Sequence, residues 1–413
     1  MKISLPAFAW LAAAWLPGYA AAQPALPLTQ PEIATATDLY GKLRAQPGNL
    51  FFSPYSITTA MGMVLAGAKG DTASQIASAL HLSALAPAGD IAGLQKAFLQ
   101  DAQAQPVLGG AASGGFTLHA ANALWGQTGY KFSPAYISSI KASFGGNLQT
   151  VDFTNEAAAR ARINQWVADA TANKIPDLIG PGVLTKDTRL VLTNAVYFNA
   201  KWETPFKPEN TVKKSFYVTA TDDVQTDLMS MTKNFNLTQS PAEKILIMPY
   251  LGGDASMVVI LPNDPNGLNA VEAGLTAAQV QAWIAGSKPT LVDVALPKFK
   301  TTGAFDLNAV LKTLGISKAF DPTAADFSLL ANDPEHPLYI GSVIHQAFIT
   351  VDETATEAAA ATAVTMFAAT AMAPMEPAIQ PVPFIADHPF LYLIMDNSTG
   401  QILFMGRETN PAE

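Results

Sequence analysis

One stretch, residues 351–383, constrains the possible folds of this 413-residue chain more than any other. It follows a strand-like run, opens with acidic residues, becomes almost entirely small residues over 358–371 and ends in a proline-marked tail. Alanine favours a helix, but β-branched residues such as Thr362 and Val364 lower that propensity. Composition alone therefore favours a surface linker or an alanine-rich helix at this place.

The same stretch also fits a β-strand, in which alternate side chains point to opposite faces. One face would carry Thr356, Ala358, Ala360, Thr362, Val364, Met366 and Ala368. This face has no charge and nothing bulky before Met366, so it could enter a gap in a preformed sheet with little steric or desolvation penalty. The residues of this stretch alone leave the linker, the helix and the strand open.

The first 22 residues have the pattern of an export signal. A positive Lys2, an apolar core over residues 5–16 and three alanines before Gln23 are typical of such signals. The apolar run is too short for a transmembrane helix. We therefore predict a signal peptide over 1–22, a single mature domain over 23–413, and export to the periplasm or to the cell exterior.

Composition argues against several classes of function. The net charge is -9 and no basic stripe is present, so a nucleic-acid partner is not expected. The chain has no Cys, and its five His residues lack metal-ligand spacing. We therefore expect no disulfide, no zinc or other metal, no lipid anchor on cysteine and no cofactor.

The apolar periodicity places helices early and strands late. Helices are predicted over 28–44, 54–66, 157–171, 268–285 and 305–314. Strands are predicted over 116–124, 148–153, 189–199, 215–218, 245–248, 256–261, 291–299, 338–351, 390–395 and 402–407. Ser53 is expected to cap the second helix, and Asp71-Thr72 to cap another. The strand over 189–199 is apolar on both faces and hence central. This order predicts an α+β fold with large mixed or antiparallel sheets.

An exported penicillin-recognising enzyme with an active-site serine is a remote alternative. Ser138 and Lys141 form a Ser-x-x-Lys pattern, and residues 197–199 and 300–303 follow in a similar order. The last element, Lys-Thr-Thr-Gly, has one residue too many, and Ser-x-x-Lys is common by chance. The sequence also lacks a hydrolase elbow, a His-Glu-x-x-His pair and a P-loop. We therefore expect that the chain is not an enzyme.

Several motifs in the right order resemble the serpins, the serine protease inhibitors that insert a loop into their own sheet. They lie at residues 49–57, 67–72, 193–202, 296–299, 350–366, 388–390 and 404–407. Together they cover nearly the whole mature chain. The resemblance implies the serpin fold, in which several N-terminal helices pack on three β-sheets, with an exposed reactive-centre loop over about 353–383.

The resemblance also implies two groups of residues that control loop insertion. The shutter, a polar cluster beneath the centre of the main sheet, would consist of Ser53, Ser56, Asn194 and His345. The breach, where the loop first enters, would consist of Trp202, Lys298 and Glu353. From the residues alone, the first group could equally be ordinary hydrogen-bonded core residues. A Lys–Glu pair could equally be a surface ion pair contributing under about 1 kcal/mol.

By the same resemblance, the loop carries a hinge and a scissile bond. The hinge would consist of Glu353, Thr356, Glu357, Ala358, Ala359, Ala360 and Ala361. The scissile bond would join Ala369 and Thr370, with cleavage next to Ala368, Thr370 or Met372 as alternatives. The implied partner is a protease that prefers small residues, such as an elastase-like enzyme, held as a covalent acyl-enzyme by a monomeric inhibitor. Lys96 stands alone in its helix, so no polyanion cofactor is expected.

Two departures from the family pattern leave another function open. Ala355 stands where many inhibitors have Gly, and the segment over 370–388 is longer than is common. A serpin that binds a partner or acts like a chaperone, without inhibiting a protease, is therefore the alternative within the family.

Overall fold

The computed structural model of the chain describes residues 26–86, 91–104, 116–333, 335–354 and 380–413. The predicted signal peptide lies outside the described residues. So do the hinge residues Thr356, Glu357, Ala358, Ala359, Ala360 and Ala361 and the scissile bond between Ala369 and Thr370. Within these ranges no helix has the length and apolar character required to cross a membrane.

The described ranges contain nine α-helices. They are α1 Thr29–Leu43, α2 Pro54–Gly67, α3 Gly70–Ala79, α4 Ile91–Ala104, α5 Pro134–Phe144, α6 Glu156–Ala170, α7 Leu268–Ala273, α8 Ala277–Ala285 and α9 Asn308–Thr313. Ser53 caps α2 as predicted, because its side chain accepts a hydrogen bond from the backbone N–H of Ser56 at 3.1 Å. The cap predicted at Asp71-Thr72 is wrong. Both residues lie inside α3, where the Thr72 hydroxyl accepts from the backbone N–H of Asp326.

The described strands form two hydrogen-bonded sheets. They are β1 Leu50–Phe52, β2 Phe116–Gln127, β3 Asn147–Val151, β4 Leu190–Ala200, β5 Val212–Tyr217, β6 Asp223–Gln239, β7 Glu243–Pro249, β8 Ala255–Pro262, β9 Lys288–Pro297, β10 Phe299–Asp306, β11 Ile340–Val351, β12 Val382–Ile385, β13 Phe390–Asp396 and β14 Ile402–Glu408. One sheet has the order β10-β11-β4-β2-β3. The other has the order β1-β14-β13-β8-β7-β6-β9-β12, with β5 also paired to β6. The predicted α+β class is confirmed.

Strand β6 explains why two sheets are seen where three were implied. Its 17 residues pair with β5 near one end, with β9 along the middle and with β7 near the other end. A strand of this length spans roughly 55 Å and can belong to two groups of strands at once. The sequence analysis predicted no strand here, so both the strand and the junction it makes were missed.

Other boundaries also differ from the prediction. Residues 299–306 form β10, where alternate side chains are buried and exposed, so the helix predicted over 305–314 begins only at Asn308. The helix predicted over 268–285 is divided, because Gly274 ends α7 and the Thr276 side chain caps α8. Strand β12 begins at Val382, which places the end of the implied loop before the expected residue 383.

Strand β4 is the central strand of the five-stranded sheet, as its two apolar faces predicted. One face contributes Val196 and Phe198 to a core shared with the nine-stranded sheet. The other face contributes Val191 and Ala195 to a core beneath α6. Because both faces are covered, any rearrangement of β4 must take place within the plane of its sheet.

Candidate functional site

The five-stranded sheet is parted at one end, between its parallel neighbours β4 and β11. The two strands pair from Leu190 and Ile340 up to Tyr197 and Phe348. Above that point β4 continues to Ala200 paired only with β2, and β11 continues to Val351 paired only with β10. The upper part of this gap therefore has two strand edges that face each other without forming a ladder within the described residues.

Below the parting, Asn194 and His345 occupy directly opposed positions on β4 and β11. The His345 Nδ1–H donates a hydrogen bond to Asn194 Oδ1, and His345 Nε2 accepts one from the backbone N–H of Ser53 at 3.1 Å. This pattern requires the neutral imidazole with its proton on Nδ1. Full burial lowers the pKa of His345 to about 3, while the hydrogen bond with Asn194 opposes that shift only in part. The imidazole is therefore neutral at physiological pH.

The same cluster fastens the sheet to α2. Asn194 Nδ2 donates to the backbone oxygen of Ser56 at 2.9 Å and to its hydroxyl oxygen at 2.6 Å. Ser53 Oγ donates to the backbone oxygen of Leu403 at 2.7 Å, which extends the cluster to β14. Ser53, Ser56, Asn194 and His345 are each no more than 1% exposed. The structure thus brings together all four residues proposed for the shutter.

A fifth residue, Asn122 on β2, belongs to this cluster and was missed from the sequence. Its Oδ1 accepts hydrogen bonds from Asn194 Nδ2 and from the Ser56 hydroxyl, the latter at 3.0 Å. The strand over 116–124 was predicted correctly at its start. An asparagine two pleats along from the buried Leu118, and hence on the same face, was the signal that could have revealed it.

The three breach residues lie together above the parting. Lys298 Nζ lies 2.8 Å from Glu353 Oε2, and Thr211 donates a hydrogen bond to Glu353 Oε1 at 2.9 Å. Burial opposes ionisation of Glu353, but hydrogen bonds from Lys298, the backbone and Thr211 outweigh it, so the pKa lies below its usual value. The indole N–H of Trp202 donates to the backbone oxygen of Asp352 at 2.9 Å, and its ring stacks on Tyr250.

These contacts fix the turn that follows β11. The backbone N–H of Phe206 donates to the backbone oxygen of Glu353 at 2.8 Å. The side chain of Asp352 accepts hydrogen bonds from the N–H and the hydroxyl of Thr354. The chain therefore leaves the sheet at residue 354 from a defined position, directly above the unpaired edges of β4 and β11.

This arrangement is that of an α+β protein whose central sheet is closed below and parted above, between two parallel strands. Comparison with known proteins gives the family. The family model for serpin (serine protease inhibitor) matches residues 32–411, and the chain belongs to this family. The resemblance inferred from the motifs is confirmed.

Individual relatives cover nearly the whole chain. Leukocyte elastase inhibitor A of Mus musculus is 35% identical over 373 residues, which are 88% of this chain and 93% of the relative. The crystal structure of a highly specific serpin of the insect Tenebrio molitor superposes with a TM-score of 0.80 at 32% identity, covering 92% of this chain and 97% of the other. The crystal structure of human thyroxine-binding globulin superposes with a TM-score of 0.81 at 28% identity, covering 94% of this chain and 99% of the other.

Proposed function

We propose that this serpin inhibits a protease as a suicide substrate, by inserting its cleaved loop between β4 and β11. The observation that carries the proposal is the parting of these two parallel strands directly beneath residue 354. The segment that follows is rich in small residues and has an uncharged face. Such a segment can form two new backbone ladders at once, one with each exposed edge.

The proposed reaction begins as ordinary proteolysis. The hydroxyl of the protease serine attacks the carbonyl carbon of Ala369, the bond to Thr370 breaks, and the amine of Thr370 leaves with a proton. The acyl-enzyme ester then joins Ala369 to the protease. Residues 356–369 enter the gap before water hydrolyses this ester.

The length of β11 fits this proposal, provided that the ladder below Tyr197 and Phe348 opens to admit the segment. Strand β11 has 12 residues, which correspond to about 40 Å, and the inserting segment of about 14 residues corresponds to about 45 Å. Insertion would carry the acylated protease from the top of the sheet to its opposite end. Distortion of the protease there stalls deacylation, because acyl transfer tolerates little misplacement of catalytic groups.

The target class follows from the residues around the proposed cut. Ala368, Ala369 and Thr370 are small and suit a protease with a shallow specificity pocket. The name of the mouse relative, an elastase inhibitor, supports the same class. The predicted signal over 1–22 supports an encounter outside the cytoplasm, in the periplasm or beyond the cell.

Incubation with elastase-like proteases, followed by a denaturing gel, tests this function. We expect a covalent complex that survives denaturation, and release of a peptide that begins at Thr370. Ala360→Glu, on the face proposed to enter the core, should be cleaved without trapping the protease. Ala359→Glu, on the opposite face, is the matched control and should still trap it, because a buried unpaired charge is far more costly than an exposed one. Equal behaviour of the two variants would contradict insertion.

A second function, binding without inhibition, is favoured by one observation. Ala355 occupies a hinge position where many inhibitory serpins have Gly, and a side chain there restricts the backbone freedom that rapid insertion requires. The similarity to thyroxine-binding globulin is compatible with this alternative. Clean cleavage without any covalent complex, across the whole protease panel, would favour it over inhibition.

A further inference from the structure

A cavity of about 580 Å³ lies under β2, beside the shutter. Its other walls are formed by helices α2, α4 and α5, by the start of β3 and by Trp166 of α6. The cavity opens to solvent beside Ala120, which lies on the same face of β2 as the buried Leu118 but is itself exposed. The volume falls within the range of small-molecule sites, about 300–1,000 Å³.

Four aromatic side chains line part of this cavity. They are Tyr55, Phe98, Phe144 and Trp166. Phe98 and Phe144 pack against each other with ring centroids 4.6 Å apart, which holds the wall between α4 and α5 in place. Flat apolar surfaces of this kind bind a ring and attract a cation over the faces of the rings.

A buried carboxyl group, that of Asp101 on α4, also lines the cavity. It is 1% exposed and accepts a hydrogen bond from the Gln401 side chain. Burial raises its pKa to about 6, although hydrogen bonds from Gln401 and Tyr55 oppose that shift. Asp101 therefore places a buried carboxyl group in the same lining as the four aromatic side chains.

Two further acids lie near Asp101. Glu32 on α1 is 1% exposed, and among the described residues only the Gln401 side chain is close enough to favour its charged form. Asp396 at the end of β13 is fully buried; its Oδ1 accepts hydrogen bonds from Ser398 and Thr399, while its Oδ2 has no partner in the part of the chain that the structure describes. Burial and the charges of Asp101 and Asp396 raise the pKa of Glu32 well above its usual value. Lys141, the one basic residue among those that line the described cavity, is exposed.

We propose that this cavity binds a small organic amine that carries an aromatic ring, with the ring against the aromatic wall and the ammonium group directed to Asp101. An ammonium group in the cavity would offset the negative charge of Asp101, which is otherwise expensive to bury. A metal ion does not fit as well, because no group of three acids or histidines among the described residues is arranged to hold one. The site does not depend on whether the protein inhibits a protease.

Calorimetric titration of the intact protein with tryptamine, compared with its neutral counterpart tryptophol, tests the proposal at pH 7.5. We expect tryptamine to bind about tenfold or more tightly than tryptophol, in line with a charge-assisted hydrogen bond. Asp101→Asn should abolish this preference while leaving tryptophol binding within about twofold. Ala120→Phe, which fills the cavity from its exposed side, should weaken both compounds, and it provides an independent test if Asp101→Asn does not fold.

The pH dependence of binding separates the proposal from a site that recognises only the ring. Tryptamine should bind more weakly at pH 5 than at pH 7.5, because Asp101 takes up a proton below its pKa of about 6. Equal affinity for tryptamine and tryptophol would overturn the proposed recognition of an amine. Absence of binding by either compound, or unchanged binding in Ala120→Phe, would overturn the site itself.

Discussion

The paired lower part and the parted upper part of the boundary between β4 and β11 are flanked by residues of different chemistry. Below, Asn194 and His345 are neutral, at most 1% exposed, and hydrogen-bonded to α2 across the sheet. Above, the ion pair joins Lys298, whose side chain is 36% exposed, to Glu353, whose side chain is 14% exposed. Contacts that water can replace are weaker than contacts sealed in a core. Opening of the sheet should therefore begin at the breach and be limited by the shutter.

The largest effect is expected from Asn194→Ala. This change removes the acceptor of the buried His345 Nδ1–H and one hydrogen-bond donor from Asn122 and from both Ser56 oxygens. Each buried polar group left without a partner costs about 1–3 kcal/mol, so we expect a loss of about 4 kcal/mol in the free energy of unfolding. Urea unfolding measures this loss.

A matched variant separates a shutter from an ordinary buried amide. Asn164→Ala also removes a buried asparagine, one that joins α6 to the backbone of Ile179 by two hydrogen bonds. Both variants should be destabilised. Only Asn194→Ala should take up a synthetic peptide of residues 356–369 faster than the wild type. Equal rates of peptide uptake in the two variants would show that Asn194 does not hold the gap closed.

The second effect concerns pH. The pKa of His345 falls on folding from 6.5 to about 3, so its contribution to stability is present above pH 6.5 and is lost as the pH falls towards 3. At pH 4.5 the loss should be about 2–3 kcal/mol. We expect the difference in free energy of unfolding between wild type and His345→Gln to shrink by about this amount between pH 6.5 and 4.5.

Asp101 provides a control of opposite sign. Its pKa rises on folding from 3.8 to about 6, so its contribution to stability is present below pH 3.8 and is lost as the pH rises through 6. The difference between wild type and Asp101→Asn should therefore change in the other direction over the same interval. If the difference for His345→Gln were independent of pH, the shutter histidine would not be kept neutral by burial.

The smallest effect on stability is expected at the breach. Glu353→Gln removes the charge of a partly exposed pair and should change the free energy of unfolding by less than about 1 kcal/mol. The rate of peptide uptake should nevertheless rise several-fold, because this pair holds the turn above the gap. Asp71→Asn is the control: Asp71 lies on α3, its change removes a surface ion pair with Lys318, and the rate of peptide uptake should stay unchanged. A similar rate of peptide uptake in both variants would show that the Lys298–Glu353 pair does not control entry into the sheet.

The comparison of these two regions also shows what the sequence could predict. Ser53 was identifiable because a capping serine before proline has a local pattern. The central position of β4 followed from its two apolar faces. Strand β6 was missed because its burial pattern is irregular, with polar residues on both faces, and only its three partners define it. Asn122 and the buried Asp101 acquire their roles from residues far away in the sequence, which no local pattern records.

Melting of the protein before and after cleavage of its loop tests the central claim most directly, namely that the gap between β4 and β11 admits a further strand. A single cut between residues 368 and 372 should raise the melting temperature by about 10 °C or more, because the freed segment adds a buried strand with new hydrogen bonds. A melting temperature at or below that of the intact protein would contradict insertion.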